Sequence, residues 1–172
     1  MAWNTTNDLV MGKNLLFYLI SGSTSPTGTT KVLAYATSCS IQIDGEELEA
    51  SSKFSCKWAS HLGGRASYTV SVDALYCNAS SAEANGAISF DELLKIMVKG
   101  DSVGWVLGQE VDKADNVACE NFNHAFDSSK PYYYGKAAIT SLSLSAGNDE
   151  MSSCSMTMSG DGEIRSKTLD ES

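Results

Sequence analysis

The sequence predicts a mainly β chain: an antiparallel sandwich or barrel with one packed helix and a long inter-strand loop. Three observations lead there. Apolar residues recur at period two over several segments, as in strands with one buried face. A single stretch repeats at spacings of three and four instead. No helical pattern alternates with the strands, so the crossover helices that a parallel sheet requires are missing. With 172 residues, 42% hydrophobic and 19% charged, the chain is one ordinary domain or at most two small ones. It can bury about 70% of its unfolded surface, enough to fold without disulfides or metal.

Asn14–Ile20 is an apolar strand, and Lys31–Ala36 another, reached through a Ser/Thr/Gly/Pro loop at Ser21–Thr30. Ser38–Asp44 alternates Cys39, Ile41 and Ile43 with Ser40, Gln42 and Asp44. Ala66–Tyr76 does the same, with Tyr68, Val70, Val72, Ala74 and Tyr76 against Ser67, Thr69, Ser71 and Asp73. Ser89 and Glu92 form a capping box. Behind it Phe90, Leu93, Leu94, Met97 and Val98 make an apolar helical stripe that Gly100 ends. Val103–Val111 is a further strand, and Asp112–Pro131 is polar and irregular, a long loop or insertion. In Ile139–Ala146, Leu142, Leu144 and Ala146 alternate with Ser141, Ser143 and Ser145. A turn at Gly147-Asn148-Asp149 leads into Met151–Gly160, where Cys154, Met156 and Met158 oppose Ser153, Ser155, Thr157 and Ser159.

Lys plus Arg number 12 and Asp plus Glu 21, a net charge of −9. That argues against binding nucleic acid by neutralising phosphates. The longest apolar run, Leu15–Ile20, is far short of the roughly 20 residues of a membrane helix. The N-terminus lacks a signal-peptide pattern. Five cysteines are an odd number, and Cys39 and Cys154 fall in the apolar phase of their strands. The expectation is a protein made in a reducing cytoplasm, with no membrane insertion and with the sequons at Asn4 and Asn78 idle.

Catalytic and metal chemistry find little support. Cys56/His61 and Cys119/His124 repeat one Cys-His spacing, a weak match to structural zinc. Asp115 and Glu120 lack the glycine and carboxylate spacing of a calcium loop. There is no nucleophile elbow, P-loop or dinucleotide fingerprint. Acidic pairs such as Glu46-Glu47 and Asp149-Glu150 fall in turns. The expectation is no enzyme, no metal and no cofactor. Among aromatics, Tyr132-Tyr133-Tyr134 before a strand, and Trp58 in a Gly/Ser/Lys-rich loop, could each meet a ligand or partner or pack on their own domain.

The polar faces of four strands are nearly all Ser and Thr, with an occasional Asp and no Lys or Arg. Outer sheet faces are polar in any case, but a hydroxyl wall with weak negative charge suits a surface that meets a polyanion without gripping it.

In order and spacing, the segments resemble the major tail tube protein family of long-tailed phages, from about Met11 to Ile164. Gly12-Lys13-Asn14-Leu15-Leu16-Phe17-Tyr18-Leu19 is similar to the family's opening strand, and Ala36-Thr37-Ser38-Cys39-Ser40-Ile41 to its second element. Ser51-Ser52-Lys53-Phe54-Ser55-Cys56-Lys57-Trp58 resembles a segment of its long loop, and Ala66–Tyr76 the strand that follows. Phe90-Asp91-Glu92-Leu93-Leu94 comes where the family has its helix. The hairpin from Ala138 to Gly162 is similar to the family's final one. Asp112–Pro131 and Ser21–Thr30 have no clear counterpart.

The resemblance implies a virion structural protein whose hexameric rings stack into the tail tube, the conduit for DNA ejection. Its partners would be copies of itself, tail initiator or baseplate, tape measure and tail terminator proteins, and double-stranded DNA in transient passage. It implies one domain over residues 1–172, with an N-terminal arm at 1–11, a stacking loop at 45–65 and a flexible C-terminal tail at 165–172. Ser40, Gln42, Asp44, Ser67, Thr69, Ser71, Asp73, Ser141, Ser143, Ser145, Ser155, Thr157 and Ser159 are the expected lining of the bore. Glu46, Glu47, Lys53, Phe54, Lys57, Trp58, His61 and Arg65 are the expected ring-to-ring contacts. Alternatives are the tube of a contractile tail or injection machine, and a monomeric β-sandwich binding module for sugar or protein.

Overall fold

The computed structural model describes residues 15–21, 29–33, 36–50, 61–76, 87–109, 126–148 and 150–167. Its elements are β1 (Leu15–Ser21), β2 (Thr29–Leu33), β3 (Ala36–Glu49), β4 (His61–Leu75), β5 (Ala87–Ile88), helix α1 (Phe90–Lys99), β6 (Ser102–Gln109), β7 (Tyr132–Ser145), β8 (Ser153–Gly160) and β9 (Arg165–Ser166). The strands form one sheet in the order β3-β4-β8-β7-β6-β1-β2-β5, with β9 on β7. Every pairing is antiparallel except the short β2–β5 contact.

That sheet closes over itself. Tyr68 on β4 meets Trp105 on β6 edge to face at 5.8 Å, although two strands separate them in the sheet, and Trp105 stacks on Phe17 of β1. The hinge is β7. Its first half pairs with β6 and its second with β8, with a register shift between Ile139 and Ser141. A bulge at such a corner lets one strand serve two sheets. Between the layers lie Phe17, Leu19, Val70, Val72, Trp105, Ala137, Met156 and Met158, all buried. The residues between them on β1 and β6, Tyr18, Ile20 and Val106, are buried too, against Tyr134 on the far face. Burial on both faces explains why β1 reads as a continuous apolar run rather than an alternating one.

The corner has its own lock. β8 ends opposite Ala137, and β9 resumes opposite Tyr134, so Asp161–Ile164 bulge out over Gly135 and Lys136. The Lys136 carbonyl freed there accepts from the Tyr68 hydroxyl at 2.5 Å and from the Asp161 N–H at 2.7 Å. Gly135 and Gly160 make room for the ring: a Cβ on either would collide with Tyr68. Burial raises the Tyr68 phenol above its ordinary pKa. On the surface, Asp161 accepts from Ser102 at 3.0 Å and pairs with Lys136 at 3.1 Å, contacts that lower its pKa.

Helix α1 forms as its sequence dictates. Ser89 and Glu92 exchange both capping-box hydrogen bonds, and Gly100 ends the helix at φ 71° in the left-handed region. Leu93 is buried, with Phe90, Ile96 and Met97 against the core. Leu94 and Val98, expected in the apolar stripe, face solvent instead: the contact is narrower than the sequence pattern.

Several boundaries differ from expectation. Ala36, expected to end the Lys31 strand, instead opens β3 opposite Ala74, while β2 ends at Leu33. The segment expected as a long loop at 45–65 continues the β3–β4 ladder to Glu49 and His61. Tyr132–Tyr134 are the first residues of β7, not its approach. The Met151 strand starts at Ser153. The tail expected to be flexible from 165 begins as β9, with Lys167 donating to the Ser128 and Ser129 carbonyls at 3.1 and 2.8 Å.

Candidate functional site

Period two places the hydroxyl residues together. Strands β3, β4, β8 and the second half of β7 present one uninterrupted outer face. Register aligns its residues into rows across the four strands: Ser40, Ser71, Thr157 and Ser141 in one, Ser38, Asp73, Ser155 and Ser143 in the next. Gln42, Thr69 and Ser159 start a third row, Asp44 and Ser67 pair beyond it, and Ser153 and Ser145 pair at the other end. All thirteen residues expected to share a surface therefore lie on one sheet face, exposed or half-buried. Two that the expectation omitted, Ser38 and Ser153, complete it. Their signal was present, since both keep the parity of their strands.

The face is tied together laterally. Ser38 donates to an Asp73 carboxylate oxygen at 2.7 Å, and the Ser143 and Ser155 hydroxyls are bonded at 2.6 Å. Gln42 holds both Asp44 oxygens, at 3.0 and 3.1 Å. Asp44 and Asp73 are its charges, and no Lys or Arg interrupts the rows. Behind it Val70, Val72, Cys154, Met156 and Met158 face the core. Cys39 lies on that apolar side too, and burial pushes its thiol up to about 11. The cysteines read as small hydrophobes occupy that role.

Beyond this face, β3 and β4 leave the sheet. Pairing of β4 with β8 stops at Thr69, and past the buried Tyr68 the segments His61–Ala66 and Gly45–Glu49 project as a two-stranded arm about 17 Å long. A register shift between Gly45 and Glu47 sets two residues, Gly64 and Arg65, against Glu46. Near the tip Leu48 pairs with Leu62, and both are exposed, at 48% and 61%. His61 Nδ1 lies 3.0 Å from a Glu47 carboxylate oxygen. Glu46, Glu47, His61 and Arg65 are thus on the arm, while Lys53, Phe54, Lys57 and Trp58 lie outside the described residues. So do Cys56, Cys119, His124, Asp115, Glu120, Asn4 and Asn78.

No group of three or more His, Cys, Asp or Glu among the described residues could hold a metal ion. Nor is any helix among them long and apolar enough to cross a membrane.

The model of a family described as phage tail tube protein matches residues 10–166. The chain belongs to that family. Its role in a tail tube is structural. The fold of this tail tube protein is similar to a chain in the tail of an empty gene transfer agent particle, refined helically with C6 symmetry, at TM-score 0.63 and 18% identity, covering 91% of this chain and 98% of that one. It is also similar to the SPP1 tail tube, at TM-score 0.65 and 14% identity, covering 95% and 84%. A third likeness is to a chain of the anti-feeding prophage baseplate, at TM-score 0.55 and 10% identity, covering 96% and 97%. No curated protein sequence matches the chain.

Proposed function

We propose that six copies of this tail tube protein close into a ring with their hydroxyl faces inward, and that stacked rings form the conduit for DNA ejection. The observation that carries this is a pair of open edges. Among the described residues nothing pairs with the outer edge of β3, or with Ile139–Ser145 of β7 on the side away from β8. Long bare edges invite pairing, and closure into a barrel removes them. The four strands alternate in direction, so β7 of one copy meets β3 of the next antiparallel, with no break in the ladder.

Six copies of four strands give 24. At about 4.8 Å between strands and a tilt of about 40°, they close at a backbone diameter of about 48 Å. Short Ser and Thr side chains keep that bore open. Six copies also carry 6 × −9 = −54 formal charges. DNA, at one negative charge per about 1.7 Å, is repelled from such a wall and slides rather than sticks. The arm reaches the neighbouring ring. Tail initiator or baseplate, tape measure and terminator proteins are the remaining partners, the place is the virion tail after assembly in the host cytoplasm, and no catalysis is involved. A second reading, the tube of a contractile tail or injection machine, draws on the fold likeness to the baseplate chain.

Negative-stain microscopy of the purified protein, dilute and then concentrated, tests the assembly: hollow tubes or rings are expected. Monomers alone, persisting with phage lysate or initiator proteins added, would leave the binding-module reading. Replacing Asp44 and Asp73 by Lys should leave tubes intact and slow DNA delivery, and unchanged infectivity would remove these residues from the bore.

A further inference from the structure

Among the exposed apolar side chains of the described residues, two groups lie at opposite ends of the β3–β4 hairpin. One is the arm tip. The other is the outer face of α1, where Leu94 is 44% and Val98 78% exposed, one helical turn apart, with the exposed Lys95 and Lys99 beside them. Apolar side chains on two separate surfaces of one chain point to contact between copies.

Their positions and charges match. Phe90, at the start of α1, meets Tyr76, just past the end of β4, edge to face at 6.1 Å. The helix therefore sits at the pole of the β3–β4 hairpin opposite the arm tip, which begins at His61. A copy displaced along the strand axis brings its arm toward the helix of the next. The described part of the arm carries Glu46, Glu47 and Glu49 against Arg65, so that part is acidic. The helix face is basic in its last two turns, with Asp91 a turn earlier and Asp101 beyond Gly100. Leucine pair meets Leu94 and Val98 while carboxylates meet ammonium groups, a head-to-tail contact that repeats along a stack.

We infer that the outer face of α1, around Leu94, Lys95, Val98 and Lys99, is the seat for the β3–β4 arm of a copy in the adjacent ring. The inference rests on the stacked-ring reading and adds the receiving surface. Val98→Asp, at a solvent-facing position, should leave the melting temperature and secondary structure unchanged while tube number in stain falls at least ten-fold. Lys95→Glu with Lys99→Glu should do the same, and adding Glu46→Lys with Glu49→Lys in the arm should restore tubes. Tubes of normal number and length from Val98→Asp would overturn the seat and leave the tube reading standing. Failure of the arm reversal to restore assembly would overturn the pairing of these two surfaces. If the unaltered chain forms neither rings nor tubes, even with initiator proteins, the tube reading falls and the seat with it.

Discussion

The hairpin β3–β4 passes without interruption through two environments. In its body half, Cys39, Ile41, Val70 and Val72 face the core while Ser40, Gln42, Thr69 and Ser71 face out, and β8 holds one side. In its distal half the same ladder continues, yet both faces are exposed and neither strand has a further neighbour among the described residues. The β3–β4 ladder runs through both halves. Apolar burial, the term that makes a sheet stable on its own, does not. An isolated two-stranded ribbon is marginal in water, so the arm draws its stability from the body behind it. Secondary structure does not reveal which half of a strand sustains a fold and which half awaits a partner.

Substitution separates the halves. The largest effect is expected at the corner lock: Tyr68→Ala empties the space between Gly135 and Gly160, breaks the contact with Trp105 and leaves the Lys136 carbonyl one donor short. Urea unfolding of the monomer should show a loss of about 3–5 kcal/mol. A loss under 1 kcal/mol would mean that the two layers are held elsewhere. Gly160→Ala tests the same lock from the other side, since its new methyl would overlap the Tyr68 ring. Here about 1–3 kcal/mol is expected, the usual cost of overpacking.

The same contrast governs what the sequence discloses. Body strands announce themselves because burial on one face imposes alternation, so the hydroxyl face is legible residue by residue in the sequence. The arm does not. Gly45-Glu46-Glu47-Leu48-Glu49 and His61-Leu62-Gly63-Gly64-Arg65 have no apolar period, because neither face is buried, and they read as a loop. Tyr132–Tyr134 evaded assignment for a different reason. Tyr134 is buried and Tyr132 packs on Phe126, both on the second face of the sheet, while the exposed Tyr133 takes the other phase, so both phases of the strand are aromatic and its start looks like a cluster. The outward-facing Leu94 and Val98 mark the converse error, an apolar stripe wider than the core it serves. The corner lock was invisible, since it depends on a tyrosine and two glycines far apart in the chain.

A smaller effect sharpens the body side of the comparison through pH. The thiol of Cys39, raised from 9.0 to about 11 by burial, keeps its proton in the fold at pH values where the unfolded chain has lost it. Between those values the native state binds more protons, so stability falls as pH rises and is fully present below pH 9. The slope is at most about 1.4 kcal/mol per pH unit, and less for a half-exposed site. Tyr68, also raised by burial, adds in the same direction above its ordinary pKa of 10.0. Urea midpoints at pH 8, 9 and 10 should decline in the unaltered chain and decline less in Cys39→Ala. Equal slopes would place the thiol outside the desolvated layer.

The smallest effect on folding is expected where the effect on assembly is greatest. Leu48→Ser with Leu62→Ser removes the exposed pair at the arm tip. Nothing buried is lost, so monomer stability should change by no more than about 0.5 kcal/mol, while stacking into tubes fails. A loss of 2 kcal/mol or more would mean that the arm packs on its own body and that the contrast between the two halves is false. Normal stability with normal tubes would clear the arm of any role between rings. Normal stability with no tubes is the result that a free arm requires, because only a contact made after folding can be lost without cost to the fold.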